Sequence, residues 1–170
     1  HNAANIAAAL LAAKHVGMPV DHILTATKTL TAPPHRLNRV ELDNNVTILD
    51  DTYNSNPEGF LEALDILAMQ EQKKKVVITR GMLELGSAEI EEHIRIGKRL
   101  GEVADTVIII SPDNAAHMQS GIEQSGGDTE IITDYDMTSV AARYHAIIDT
   151  GNVAVLLENR VPEPILKNLE

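Results

Sequence analysis

Three short runs constrain the fold of this chain most: Lys75 to Thr79 (KVVIT), Thr106 to Ile110 (TVIII) and Asn152 to Leu157 (NVAVLL). Each is apolar without alternation and rich in β-branched residues. A strand with one wet face alternates polar and apolar side chains. A continuous run signals burial on both faces, as in a parallel sheet covered by helices. Between the runs lie segments of helical character: Pro57 to Gln70, Ala88 to Val103, Asn114 to Gln124 and Thr138 to Ile148. In the second of these, Ile90, Ile94, Ile96 and Leu100 fall broadly on one side. A short strand is predicted at Glu130 to Thr133, and a last short helix at Pro162 to Leu169. This alternation predicts an α/β fold, a Rossmann-like, mostly parallel sheet with helices on both faces. Arg36 to Leu42 and Val46 to Asp50, joined by the turn Asp43-Asn44-Asn45, read as a hairpin that adds an antiparallel edge.

Ahead of the sheet the chain changes character. Asn2 to Val16 is rich in Ala and Leu and predicts a helix, ended by Gly17 and Pro19. Val20 to Leu30 predicts a second, with Asp21 near its start. The stretch TAPPHR, residues 31–36, carries paired prolines and marks a boundary. Residues 1–33 are read as a short helical segment of a preceding domain, and residues 34–170 as the Rossmann-like domain. The chain opens on His1 rather than Met, and is read as an excised fragment.

Charge and composition exclude several functions. The net charge of −11 argues against a nucleic-acid partner, and the one basic run, Lys73-Lys74-Lys75, reads as a solvated connection. Aromatic residues make up 2% of the chain, too few for a base-stacking platform. There is no cysteine, hence no disulfide and no thiolate metal site. No apolar run reaches membrane-spanning length and no signal peptide is visible, so a cytoplasmic location without membrane partners is expected.

In an open parallel sheet, ligands bind beyond the carboxyl ends of the strands. Two such ends are rich in polar groups. The first is DDTYNSNP, Asp50 to Pro57. Asp50 and Asp51 alternate across the pleat, so one of them is expected to face the crevice. A carboxylate there can accept from a ribose diol or an ammonium group, and Asn54 and Asn56 both donate and accept. Asp, Asn and Pro are equally ordinary turn and cap residues, and Asn56 stands where it would cap a helix beginning at Pro57. On spacing alone, ligand binding and capping weigh about the same. The second end is TRGMLELGS, Thr79 to Ser87. A phosphate loop needs Lys after its second glycine, where this chain has Ser87, and Glu84 would repel phosphate. It reads as a tight strand–helix connection. The seven histidines show no metal-ligand spacing, and no metal site is expected. His93, beside Glu89 and Glu92, reads as part of a solvated surface cluster. His35-Arg36 is open: Arg36 can hold a phosphate bidentately or form a surface ion pair.

Taken together and in order, HNAANIAAALLAA, Pro34-His35-Arg36-Leu37, ILDDTYNSNP and GMLELG resemble the Mur ligase family. The resemblance is to the branch that joins D-alanyl-D-alanine to UDP-muramoyl tripeptide with ATP in peptidoglycan precursor synthesis. The resemblance covers nearly the whole chain, from the end of the family's central ATPase domain through its C-terminal Rossmann-like domain. It implies an ATP-dependent acid–amino-acid ligase that works through an acyl phosphate, with Mg²⁺ and ATP held mainly by the upstream domain. The partners implied are UDP-muramoyl peptide, D-Ala-D-Ala and the chain's own upstream central domain. By resemblance, Asn2 and Asn5 contact the adenine, Arg36 reaches the nucleotide phosphates, and Asp51 binds the ribose or steadies the closed state. Tyr53, Asn54 and Asn56 lie where the amine substrate is held. No catalytic residue is assigned within this fragment.

Departures from the family pattern bear on activity. The phosphate loop, the metal-binding Glu and His and the modified lysine belong upstream, so the fragment alone is not expected to ligate. His35 replaces a common glycine, Gly81 a common aspartate, and ENRVPE, residues 158–163, a KGS-type loop. The last change leaves the amine substrate open. The rivals are another amide ligase of the folylpolyglutamate or cyanophycin type, which typically carries AHNP rather than YNSNP, and a non-catalytic Rossmann-like binding module.

Overall fold

Six strands form one sheet in the order β1-β2-β6-β3-β4-β5. They are β1 (Asn38–Leu42), β2 (Val46–Asp51), β3 (Lys74–Thr79), β4 (Thr106–Ile109), β5 (Glu130–Thr133) and β6 (Val153–Glu158). All pairings are parallel except β1–β2, the predicted hairpin. The computed structural model describes residues 3–31 and 33–167. Contacts divide the chain into two compact units, residues 1–33 and 34–170.

The first unit holds helices α1 (Ala3–His15) and α2 (Val20–Thr27). The second holds the sheet with α3 (Pro57–Ala68), α4 (Glu89–Val103), α5 (Ala115–Ser125), α6 (Met137–Asp149) and α7 (Glu163–Leu166). No helix among the described residues is long and apolar enough to cross a membrane.

β2, β4 and β6 are buried at every position because helices cover both faces. On one face, Leu49, Val77, Val107 and Leu156 pack against α3, α4 and α5. On the other, Ile48, Ile78, Ile108 and Val155 pack against α6 and α7. α3 shows how sequence becomes packing. Asn56 caps it, its side chain accepting the Gly59 N–H at 3.0 Å, and Pro57 fills the first turn, where no N–H is needed. Phe60, Ala63, Leu64 and Leu67 then bury one stripe, and each large side chain there contributes about 1.5–3 kcal/mol.

Two sequence expectations are corrected on α4. Its buried face is His93, Ile96, Gly97, Leu100 and Gly101, while Ile90 is 55% exposed. His93 is therefore not part of a solvated cluster; it is fully buried. The two glycines lie on the face that meets α5, and the close approach turns that face inward: Ile96 and Leu100 of the expected stripe are buried with it, and Ile90 is left outside.

Candidate active site at the carboxyl edge of the sheet

The chain enters β1 through a loop that two aspartates hold. His35 and Leu37 both adopt left-handed backbone, with φ of 59° and 54°. A non-glycine residue there costs on the order of 1–3 kcal/mol, so the surroundings must impose it. His35 Nδ1 meets Asp50 Oδ2 at 2.8 Å. The Leu37 N–H donates to Asp51 Oδ1 at 3.1 Å. The Tyr53 N–H donates to the His35 carbonyl at 3.1 Å. Asp50 also accepts from the backbone N–H and the hydroxyl of Thr52. Both aspartates thus serve the same loop, from opposite faces of the pleat, although the alternation suggested that one alone would face the crevice. β1 consequently starts two residues later than expected, at Asn38.

That loop presents Arg36. Its guanidinium lies 4.2 Å from the centroid of the Tyr53 ring and forms no ion pair among the described residues. Tyr53 is 62% exposed. Asn54 and Asn56 are exposed as well, with Asn56 engaged as the α3 cap. Arg36, Asp51, Tyr53, Asn54 and Asn56 are therefore brought to one edge. Asn5 lies on α1 in the first unit, and Asn2 lies outside the described residues.

One member of the site was missed. Glu158 is the last residue of β6, fully buried, and pairs in register with Asp51 on the neighbouring strand. The Ser55 hydroxyl donates to Glu158 Oε1 at 2.5 Å, and Oε2 has no partner. Burial, then the adjacent Asp51, push the Glu158 carboxyl well above its usual range, while the Ser55 bond pulls the other way. Asp51 is raised to about 6, mainly by burial; the Leu37 N–H and Arg36 oppose the rise and Asp50 adds to it. Both shifts favour a proton held by the pair, with the stronger burial on the Glu158 side.

The loops after β2, β3 and β6 are tied together here. The Asn159 N–H donates to the Asp51 carbonyl at 3.1 Å, and its side-chain amide to the Gly81 carbonyl at 2.8 Å. The loop after β3 turns its backbone inward. The Met82 N–H donates to His93 Nε2 at 3.0 Å, and His93 Nδ1 donates to the Glu89 carbonyl at 2.6 Å. This is a closed structural connection, as expected for a loop that departs from the phosphate-binding pattern. Replacing His93 with leucine leaves the Met82 donor unsatisfied. It is expected to cost about 1–3 kcal/mol in urea denaturation and to speed amide exchange over residues 80–86. An unchanged denaturation midpoint and unchanged exchange would show that the imidazole does not hold the loop.

A guanidinium without an ion pair can take an anion such as a phosphate in two parallel bonds, and a carboxylate can accept from a diol. Among the described residues no group of three or more His, Asp or Glu is arranged to hold a metal ion.

Residues 35–157 match the model of the Mur ligase, glutamate ligase domain. The chain is 28% identical over 164 residues to the UDP-N-acetylmuramoyl-tripeptide--D-alanyl-D-alanine ligase of Escherichia coli, covering 95% of this chain and 36% of that one. It is 31% identical over 156 residues to the enzyme of the same name from Mycobacterium tuberculosis, covering 82% and 30%. Among solved structures it resembles the MurF ligase of Thermotoga maritima in complex with ADP, with a TM-score of 0.70 and 28% identity over 97% of this chain and 36% of that one. A MurF structure from Acinetobacter baumannii shares the fold at a TM-score of 0.76 and 23% identity, over 99% and 36%. The chain spans about a third of the length of the curated relatives it matches.

Proposed function

This chain belongs to the Mur ligase family, and we propose that it is the C-terminal, amine-presenting part of a MurF-type ligase. That enzyme would join D-alanyl-D-alanine to UDP-muramoyl tripeptide in peptidoglycan precursor synthesis. ATP supplies the chemistry by activating the acceptor carboxylate as an acyl phosphate. ATP and Mg²⁺ are held mainly by the domain that precedes this one in the relatives. Residues 1–33 are the end of that domain, and Asn2 and Asn5 contact the adenine.

The observation that carries the proposal is the Arg36 loop. Two buried aspartates hold its left-handed backbone, and the result is a guanidinium without an ion pair, stacked on Tyr53, at the carboxyl edge. In this role Arg36 neutralises phosphate oxygens. Asp51, anionic at neutral pH, accepts from the ribose and holds the loop through Leu37. Tyr53, Asn54 and Asn56 border the incoming amine. Holding that amine against the activated carboxylate is itself a large rate factor, and small misplacements are costly.

The test is phosphate release by the protein that carries this chain behind its ATPase domain, with ATP and UDP-muramoyl tripeptide, and with or without D-Ala-D-Ala. Dipeptide-dependent release is expected, falling on the order of 100-fold in Asp51→Ala, which loses the ribose acceptor and releases the Arg36 loop together. Release that ignores the dipeptide, or that survives the substitution unchanged, would sink the proposal.

A further inference from the structure

The arginines of this chain divide by position. Of the seven, Arg39, Arg95, Arg99 and Arg143 form ion pairs with carboxylates. Arg36, Arg80 and Arg160 form none among the described residues. All three stand at the carboxyl edge, before β1 and after β3 and β6. Acids outnumber Lys and Arg by 25 to 14 in this chain, so unpaired guanidiniums gathered at one edge are not explained by a shortage of partners.

Arg80 and Arg160 line the same crevice, of about 320 Å³, with Ser111, Tyr135, Ile110 and Met137 among its walls. No carboxylate lines it. The acids next to its walls are engaged elsewhere. Asp134 holds Arg143 and the Ser139 hydroxyl, Asp136 accepts from the Ser139 N–H as the α6 cap, Asp113 accepts from Ser111, and Glu163 pairs with Lys167. The Nε of Arg80 is buried without an acceptor. Buried polar groups are satisfied as a rule, and an orphan N–H on a cation calls for an anion from outside the chain. A planar guanidinium fork matches a carboxylate in two parallel bonds. The volume is at the lower end of small-ligand sites, about 300–1,000 Å³, and its mixed walls suit a small apolar side chain beside an anion.

We propose that this crevice receives the carboxylate of the amine substrate, with Arg80 and Arg160 as its specificity-determining residues. The proposal rests on the ligase reading above. It separates the edge into two anion-receiving places. Arg36 beside β2 faces phosphate, and Arg80 with Arg160, beyond β6 and β3, faces the carboxylate.

The test is an NMR titration of the chain with D-Ala-D-Ala, with its C-terminal amide and with inorganic phosphate. The acid is expected to shift the Arg80 Nε–H resonance. The amide is expected to bind roughly tenfold or more weakly, and Arg80→Gln or Arg160→Gln to weaken the acid by a similar factor at an unchanged melting temperature. Arg160→Lys, which keeps the charge, should recover part of the loss. Equal binding of acid and amide, or phosphate binding at Arg80 as tightly as the acid, overturns the proposal in favour of a general anion site. In the longer protein, the same variants should raise the KM for dipeptide and leave that for ATP alone. Dipeptide-dependent phosphate release with an unchanged dipeptide KM would overturn the subsite and leave the ligase standing. Carboxylate binding at Arg80 without any amine-dependent release would overturn the ligase and leave the crevice a carboxylate site for another amine.

Discussion

Replacing Gly97 with alanine is expected to cost the domain about 3 kcal/mol, and replacing it with valine to prevent folding. A Cβ at Gly97 would lie 2.3 Å from the Met118 carbonyl oxygen and 2.8 Å from the Gly121 Cα. A Cβ at Gly121 would lie 2.3 Å from the Ile94 carbonyl oxygen and 2.7 Å from the Gly97 Cα. The obstacles are backbone atoms on both sides, so no rotamer change relieves the clash and α4 and α5 must part. Parting them opens the core at Ile96, Leu100, Met118 and Ile122. It also reaches the site, because α4 carries His93, which holds the Met82 N–H of the loop after β3. Urea denaturation of Gly97→Ala and Gly121→Ala checks this. A midpoint close to that of the parent chain would mean that the helices have room to separate.

The same contact shows where the sequence was legible and where it was not. The strands were readable because VVI, VIII and VAVLL can only be buried on both sides. The hairpin was readable from its turn residues, and Asn56 could be read as a cap from Pro57. The bound face of α4 was not. Counting apolar residues gave Ile90, Ile94, Ile96 and Leu100, of which Ile96 and Leu100 do pack, but the full stripe is His93, Ile96, Gly97, Leu100 and Gly101, in which two members have no side chain to count. The Arg36 loop was legible as a boundary from its prolines, but not as a left-handed turn. Leucine has no preference for that backbone, and Asp51 and core packing impose it at Leu37. The roles of Asp50 and Glu158 depend on partners 15 and 103 residues away. The fold brings such loop and strand residues together, and no local spacing announces them. Asp51 itself was legible as a site residue, though its structural task was not. Arg80 was passed over because nothing in TRGML says that its neighbours are already paired.

The stability of this domain is expected to fall as pH rises from about 4 through neutrality, and Glu158→Gln is expected to flatten that fall. In the unfolded chain Asp51 and Glu158 lose their protons near 3.8 and 4.5; in the fold Asp51 holds its proton to about 6 and Glu158 to well above its usual range. Between those limits the native state binds more protons than the unfolded state, so stability decreases with pH. The slope is roughly 1.4 kcal/mol per pH unit for each proton. The contribution is present in full below about pH 4. The Asp51 part is lost by about pH 6, and the Glu158 part goes on being lost above that. Glutamine cannot ionise, yet its carbonyl can still accept from Ser55. At pH 7.5 the variant should be more stable than the parent by about 1–3 kcal/mol, and at pH 4.5 the two should nearly coincide. Asp51→Asn should remove the lower part of the slope instead. Because burial favours the protonated form of Glu158, which glutamine mimics, the glutamine variant should also keep any amine-dependent phosphate release that the longer protein shows. Parallel stability curves for parent and variant, measured by thermal and urea unfolding from pH 4 to 8, would mean that Glu158 is ionised in the fold. Asp51 would then sit beside a second negative charge, and a buried cation would be needed to balance the pair.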